Sequence, residues 1–243
     1  MKNKFLQVIF FIFFLPFISM AEHIVGGSLT YEQMGGSTYR ITLTLYRDCT
    51  SPTNPSFPSV VKINIVKSNG AAFKVVTIPF SSATNVPPKI DTCVANPGFC
   101  LQESIYSQVV SGIPPASGGY HVYYQLCCRT ALTNVNANTN TSGETFYTHI
   151  PDNNIVTSNS SPQWIEGPQS FLCQGNTFSV NHSAIDVDGD SLAYSFYTPY
   201  DSNTVSFPGG LFTAVPLTWK LTYGMNNPFN ASIPNSLQIS SKG

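Results

Sequence analysis

Asp186, Asp188 and Asp190 stand at alternate positions in the segment DVDGD. Carboxylates this close can supply several of the roughly six to eight oxygens that a calcium ion takes. The segment is not an EF-hand loop, which needs Gly at its sixth position and Glu at its twelfth. Those positions hold Ser191 and Tyr197. The same residues also read as a chain reversal, with Asp-Gly at the bend and the Asp side chains bonded to their own backbone. Both readings, a calcium site and a turn, stand at the level of sequence.

The six cysteines are the second chemical resource. Cys93 and Cys100 enclose VANPGF, whose Pro97-Gly98 is a turn signal, so a local bridge is expected there. Cys127 and Cys128 are adjacent, and neighbours on a strand point to opposite faces. They are therefore expected to take different partners, with Cys49 and Cys173 remaining. Structural zinc needs close Cys/His pairs at ligand spacing. The Cys-Cys pair and four scattered histidines do not provide it.

Other constellations lead away from catalysis. Ile24-Val25-Gly26-Gly27 matches the mature start of many serine proteases, but no nucleophile, base and orienting acid accompany it. The pairs Glu32 with Glu103 and Glu144 with Glu166 are arithmetic candidates for a glycosidase in a chain with only 12 acids. Trp164 and Trp219 are candidates for stacking on a glycan, or for core packing. Asn140, Asn159, Asn181 and Asn230 lie in N-x-Ser/Thr sequons, which matter only in a host that glycosylates asparagine. No enzyme is expected.

These residues must be positioned by strands. In Tyr39 to Asp48, Tyr39, Ile41, Leu43 and Leu45 share one face against Arg40, Thr42 and Thr44. Val60 to Lys67 repeats the pattern, Asn69-Gly70 supplies a hairpin turn, and Phe73 to Phe80 reads as the returning strand. Tyr120 to Arg129 alternates again, and Glu144 to Ile150 reads as a further strand. Beyond the polar stretch Pro151 to Pro162, strands are expected at Phe171 to Val180, Ser191 to Tyr197, Leu211 to Leu221 and Leu237 to Ile239.

The address comes from the first 21 residues, MKNKFLQVIFFIFFLPFISMA. Two early lysines, an apolar run and Ser19-Met20-Ala21 are the parts of a secretory signal peptide. The run from Phe5 to Ile18 is interrupted by Pro16 and is short of the roughly 20 apolar residues that span a bilayer, so cleavage near Glu22 is expected and no span after it. Removing 21 from 243 leaves 222 residues. Charged residues are 9% of the chain and net charge is -1, against a usual charged share of about a quarter. There is no basic patch for nucleic acid and no Lys/Arg cluster for an anionic membrane. An exported chain with six cysteines is expected to form disulfides.

Several motifs together resemble one family. They are His23-Ile24-Val25-Gly26-Gly27 with Tyr31, the run Ile41 to Cys49, Gly118 to Arg129, Asn159 to Pro162, and Phe171 to Tyr200. The chain resembles the N-terminal region of secreted Bacteroidetes surface proteins that are gliding-motility-associated or carry PKD- or cadherin-like repeats. The resemblance spans nearly the whole mature chain, and YRDC, YQLCCR and DVDGDSLAYS are specific in combination. It implies a large surface protein of Ig-like sandwiches that continues into further repeats and a C-terminal sorting domain for type IX secretion. Members often carry Cys where this chain has Met34 and Tyr197.

The expected organisation is all-β with two tandem Ig-like sandwiches. Residues 1–21 are a signal peptide, 22–150 a disulfide-rich sandwich, 151–161 a linker, and 162–243 a cadherin- or PKD-like sandwich expected to be incomplete. A unit of about 80 residues is short of the about 100 that a sandwich uses, so a fragment of a longer protein is expected. The expected function is that of a non-enzymatic adhesion or cell-surface scaffold module, secreted or at the cell surface, whose glycan or protein ligand is unknown. The alternative is a carbohydrate-binding module or a glycan-acting secreted protein.

Overall fold

In β2 (Thr38–Asp48), the side chains of Tyr39, Ile41, Leu43 and Leu45 are buried, one every second residue. The same alternation buries Val61, Ile63 and Ile65 of β3 (Val60–Lys67) and Tyr120, Val122, Tyr124 and Leu126 of β7 (Tyr120–Cys127). Two sheets that each carry one apolar face must close on each other. The structure is a computed structural model and describes residues 24–52, 54–87, 98–129, 132–136, 142–169, 171–173, 176–229 and 237–243.

Besides β2, β3 and β7, the first part contains β1 (Ile24–Gly35), β4 (Ala72–Pro79), β5 (Thr84–Val86), β6 (Leu101–Val110) and β8 (Gly143–Ile150). One sheet has the order β1-β2-β6-β5 and the other β4-β3-β7-β8, all pairs antiparallel. Naming β1 to β8 as A, B, C, C′, D, E, F and G gives ABED against C′CFG, the immunoglobulin-like arrangement. Tyr120, at the start of β7, donates its hydroxyl proton to the Pro114 carbonyl at 2.8 Å. This is the tyrosine corner that such sandwiches place at the entry to strand F. Each Ile or Leu buried between the sheets contributes at most about 1.5–3 kcal/mol.

The hairpin at Asn69-Gly70 forms as expected. Gly70 has φ of 84° and the Asn69 side-chain oxygen accepts the Ala71 N–H at 3.0 Å. β6 is a strand the alternation does not announce. Its core face mixes Tyr106 and Val110 with Ser104, which is buried and satisfied by the Ser82 carbonyl at 3.0 Å.

Residues 162–243 hold β9 (Gln163–Trp164) paired with β10 (Ala184–Ile185), and β11 (Tyr200–Ser206) paired with β12 (Thr213–Pro216) around a short 3-10 turn at Pro208–Gly210. The all-β expectation holds. The stretches expected as strands at Phe171 to Val180 and Ser191 to Tyr197 carry no ladder among the described residues. From Ser191 to Tyr200 alternate side chains are half-buried and none is fully buried, so this part of the chain packs along one side only.

Two disulfide expectations are corrected. Cys100 is bridged to Cys49, not to Cys93. The β2–β6 register ends at Asp48 opposite Leu101, which places Cys49 and Cys100 as the next opposed pair, and Cys49 N–H donates to the Cys100 carbonyl at 2.9 Å. Cys127 and Cys128 are bridged to each other rather than to separate partners. The β7 ladder stops at Cys127 opposite Gly143, so Cys128 is free of strand geometry and of the opposite-face rule. Cys173 is also bridged. Cys93, the expected signal peptide at residues 1–21 and the sequons at Asn140 and Asn230 lie outside the described residues.

Candidate ligand-binding site

The outer face of β7–β8 is aromatic. His121 and Tyr123 of β7 stand beside Tyr147 and His149 of β8, through the register pairs His121 with His149 and Tyr123 with Tyr147. An outward face of this kind is ordinarily solvated in an antiparallel sheet. Here the β11–β12 hairpin lies across it. Phe212 stacks on Tyr147 with ring centroids 4.1 Å apart, and Phe207 packs on His121 at 5.2 Å. Thr145 donates its hydroxyl proton to the Asp201 carbonyl at 2.6 Å, and Gly143 N–H donates to the Asp201 carboxylate at 2.7 Å.

His121 is the centre of this contact and is only 3% exposed. Its Nε2 lies 3.0 Å from the Gly210 carbonyl and its Nδ1 lies 2.8 Å from the Tyr147 hydroxyl. A carbonyl only accepts, so Nε2 carries the proton and Nδ1 accepts from Tyr147. Both ring nitrogens are thus satisfied by the neutral ring. Burial lowers the His121 pKa below its ordinary value, and nearby His149 lowers it further, while the bond to Gly210 raises it. Burial also pushes the Tyr147 hydroxyl up to about 12, so it remains a donor.

At the hairpin tip the covered face opens into a cleft of about 830 Å³. Three segments far apart in sequence build it. The β3–β4 turn supplies Lys67, Asn69 and Phe73; the loop before β7 supplies Pro114, Pro115 and Ser117 beside Tyr120; the 3-10 turn supplies Phe207. Phe73 and Tyr120 pack at 5.0 Å. Gly118 and Gly119, with φ of 73° and 75°, fold the loop against Ser68, whose hydroxyl bonds to the Gly118 carbonyl and, at 3.0 Å, to the Gly119 carbonyl. A Cβ on Gly119 would run into the backbone at Ile150 and Pro151, so the loop requires glycine there. The volume and the mostly apolar wall with a few polar groups are those of small-molecule sites.

The residues singled out by sequence do not gather at this cleft. Asp186 accepts the N–H groups of Asp188 at 2.9 Å and Asp190 at 3.2 Å, which is the turn reading realised. Asp188 accepts from Ser160 N–H and from the Ser158 hydroxyl, tying the turn to the 151–161 stretch. Among the described residues no group of three or more His, Cys, Asp and Glu side chains converges as placed to hold a metal ion. The structure sets Glu32 on Arg40, Glu103 beside Tyr46, Glu144 on Arg129 at 3.1 Å and Glu166 on Asn181 at 2.6 Å. Trp164 is 52% exposed on β9, whereas Trp219 is half-buried, bonded to Thr198 and bridged to Val135.

At the other end of the sandwich, Arg129 joins the two parts of the chain. Its guanidinium pairs with buried Glu144 and donates to the carbonyls of Gly143 at 3.0 Å and Tyr200 at 3.3 Å. Burial raises the Glu144 pKa and Arg129 opposes the shift. The second carboxylate oxygen, Oε2, is buried with no hydrogen-bond partner among the described residues.

Phe207, Phe212 and Lys67 were not singled out by sequence. The signal was Phe207-Pro208-Gly209-Gly210-Leu211-Phe212, two aromatics flanking a tight turn. What those rings would cover could not be known from the segment itself. The fold and cleft define a disulfide-braced immunoglobulin-like sandwich with an aromatic-walled site at one end. No protein-family model, curated protein or solved structure matches the chain.

Proposed function

We propose that the mature chain is a non-enzymatic extracellular binding module, acting in adhesion or as a cell-surface scaffold. The observation that carries this reading is the cleft, assembled from the β3–β4 turn, the loop before β7 and the β11–β12 hairpin. Three chain segments held by two sheets and an inter-strand bridge give a pre-formed site, which lowers the ordering cost of binding. The signal peptide and the resemblance to gliding-associated surface proteins supply the setting, outside the inner membrane and at the cell surface. No helix among the described residues is long and apolar enough to cross a membrane.

The carbohydrate-binding alternative has its own observation in exposed Trp164, whose ring meets His182 edge-on at 6.0 Å. A calcium ion at Asp186, Asp188 and Asp190 also belongs to this reading. It would require Asp186 and Asp188 to exchange the N–H bonds they now accept, and calorimetric titration at millimolar calcium decides it.

The test of the main reading is retention of the purified mature chain on whole bacterial cells and on arrayed extracellular glycans and proteins. Saturable retention is expected. Absence of retention on every surface would remove the reading.

A further inference from the structure

The side-chain polar groups left available in the cleft can all donate. Lys67 is exposed and its ammonium has no partner among the described residues. Asn69 spends its side-chain oxygen on Ala71 N–H, which leaves its Nδ2 protons unused. Ser117 is exposed with its hydroxyl available. Ser68, by contrast, already donates to the Gly118–Gly119 carbonyls. The rings of Phe73 and Phe207 line the same cleft. No carboxylate belongs to the described lining, so the local charge is the one positive group.

Such a wall selects a ligand with an apolar face and an acceptor-rich edge bearing negative charge. A lysine point charge and amide donors favour a carboxylate, with which hydrogen bonds are roughly twice as strong as between neutral groups. Aromatic and proline surfaces favour a ring with C–H bonds on one face. An extended peptide captured by strand addition needs an open sheet edge. This cleft is built around the β3–β4 turn and the loop before β7, not along the free edge of β4, the edge strand of its sheet. We propose that the cleft binds a uronic-acid sugar, with the carboxylate at Lys67 and Asn69 and the sugar ring against Phe207 and Phe73. The inference rests on the reading of the protein as a binding module and names the ligand class of that site.

The probe is tetragalacturonate, titrated calorimetrically into the mature chain beside its methyl ester and a proline-rich acidic peptide. Tetragalacturonate is expected to bind, with affinity falling as salt rises. Lys67→Gln and esterification are each expected to weaken binding roughly tenfold or more. Asn69→Asp keeps the acceptor for Ala71 and replaces the donor with a negative charge, so it is expected to abolish binding while leaving the melting temperature in place. Phe207→Ala removes the stacking face, and its fold is checked by the same melting curve.

Equal binding of acid and ester, or binding unchanged in Lys67→Gln and Asn69→Asp, overturns the proposal. Binding of the peptide in place of the sugar, with the same dependence on Lys67, also overturns it. If tetragalacturonate fails while the chain is still retained on cells, the ligand class is wrong and the binding-module reading survives. If retention fails on every surface as well, both fall.

Discussion

The sandwich of residues 24–150 and the chain from 151 onward both carry strand-like alternation in sequence and behave differently. In the sandwich, β2 pairs along its whole length with β6, from Tyr39 opposite Val110 to Asp48 opposite Leu101. Leu43, Leu45, Ile41, Val61 and Ile63 are completely buried. Beyond Ile150 the ladders among the described residues shrink to two short ribbons, and Ile155, Ile165, Ile185, Val187 and Leu221 are all more than half exposed. The first region is held by its own core. The second is held by what it covers, through Phe207 and Phe212 on the β7–β8 face, Ser161 on Tyr31, and Asp201 on Gly143. A strand pattern is thus necessary but not sufficient for a strand. An alternating segment forms a ladder only where a second edge meets it.

The largest expected contrast is in amide hydrogen exchange. Amides of β2, β3, β6 and β7 should exchange only through global unfolding, while Ser191 to Thr198 should exchange through openings that cost close to nothing. Equal protection in the two regions, read by mass spectrometry, would break the comparison.

Arg129→Ala should be the most damaging single change at the junction. It strips the partner from buried Glu144 and the donor from the Tyr200 carbonyl, and breaking such a pair costs about 3–5 kcal/mol. Chemical denaturation measures it, and a loss below about 1 kcal/mol would show that the junction carries little.

The two bridges between described residues of the sandwich should separate next. Cys49–Cys100 spans a sequence separation of 51, and restraining a loop of that length contributes on the order of 4 kcal/mol in the chain-entropy model. Cys127–Cys128 spans a separation of 1 and closes no loop. Replacing Cys49 and Cys100 by Ala should therefore lower the midpoint far more than replacing Cys127 and Cys128. The reverse order would show that the vicinal bridge holds the two regions together.

The smallest effect is the pH dependence of hairpin docking. Because burial lowers the His121 pKa in the folded state, the unfolded chain binds the proton more readily. The stability from neutral His121 is present above the ordinary value of 6.5 and is lost as the pH falls through the lower folded value. His149 on β8 faces the same ring. The melting temperature of the native chain should fall between pH 7 and pH 5, and His121→Gln should flatten that slope. A slope identical in both would remove His121 from the contact.

Much of the sandwich was legible. Val60–Lys67 is predicted and observed with the same ends, and Asn69-Gly70 marks its turn. β6 was hidden because Ser104 and Gln108 interrupt its apolar face, a cost met by the Ser82 carbonyl in the case of Ser104. The cleft was almost illegible. Lys67 ends β3, Asn69 lies in the turn after it and Phe73 just beyond on β4, while Ser117 is 44 residues and Phe207 134 residues past Phe73. No local pattern relates them.

Sequence by itself determined the period-two strands of the sandwich and its Asn69-Gly70 hairpin turn, because each depends on residues within a few positions of one another. Tertiary structure decided which cysteines meet, since the β2–β6 register places Cys49 opposite Cys100 and the end of β7 leaves Cys127 with its neighbour. It also decided the site. The outer-face stripe of His121, Tyr123 and Tyr147 is covered by the β11–β12 hairpin laid across it, which leaves His121 buried and the two tyrosines half-buried. Burial, and the chemistry that depends on burial, is a property of two surfaces in contact, and one segment encodes only one of them.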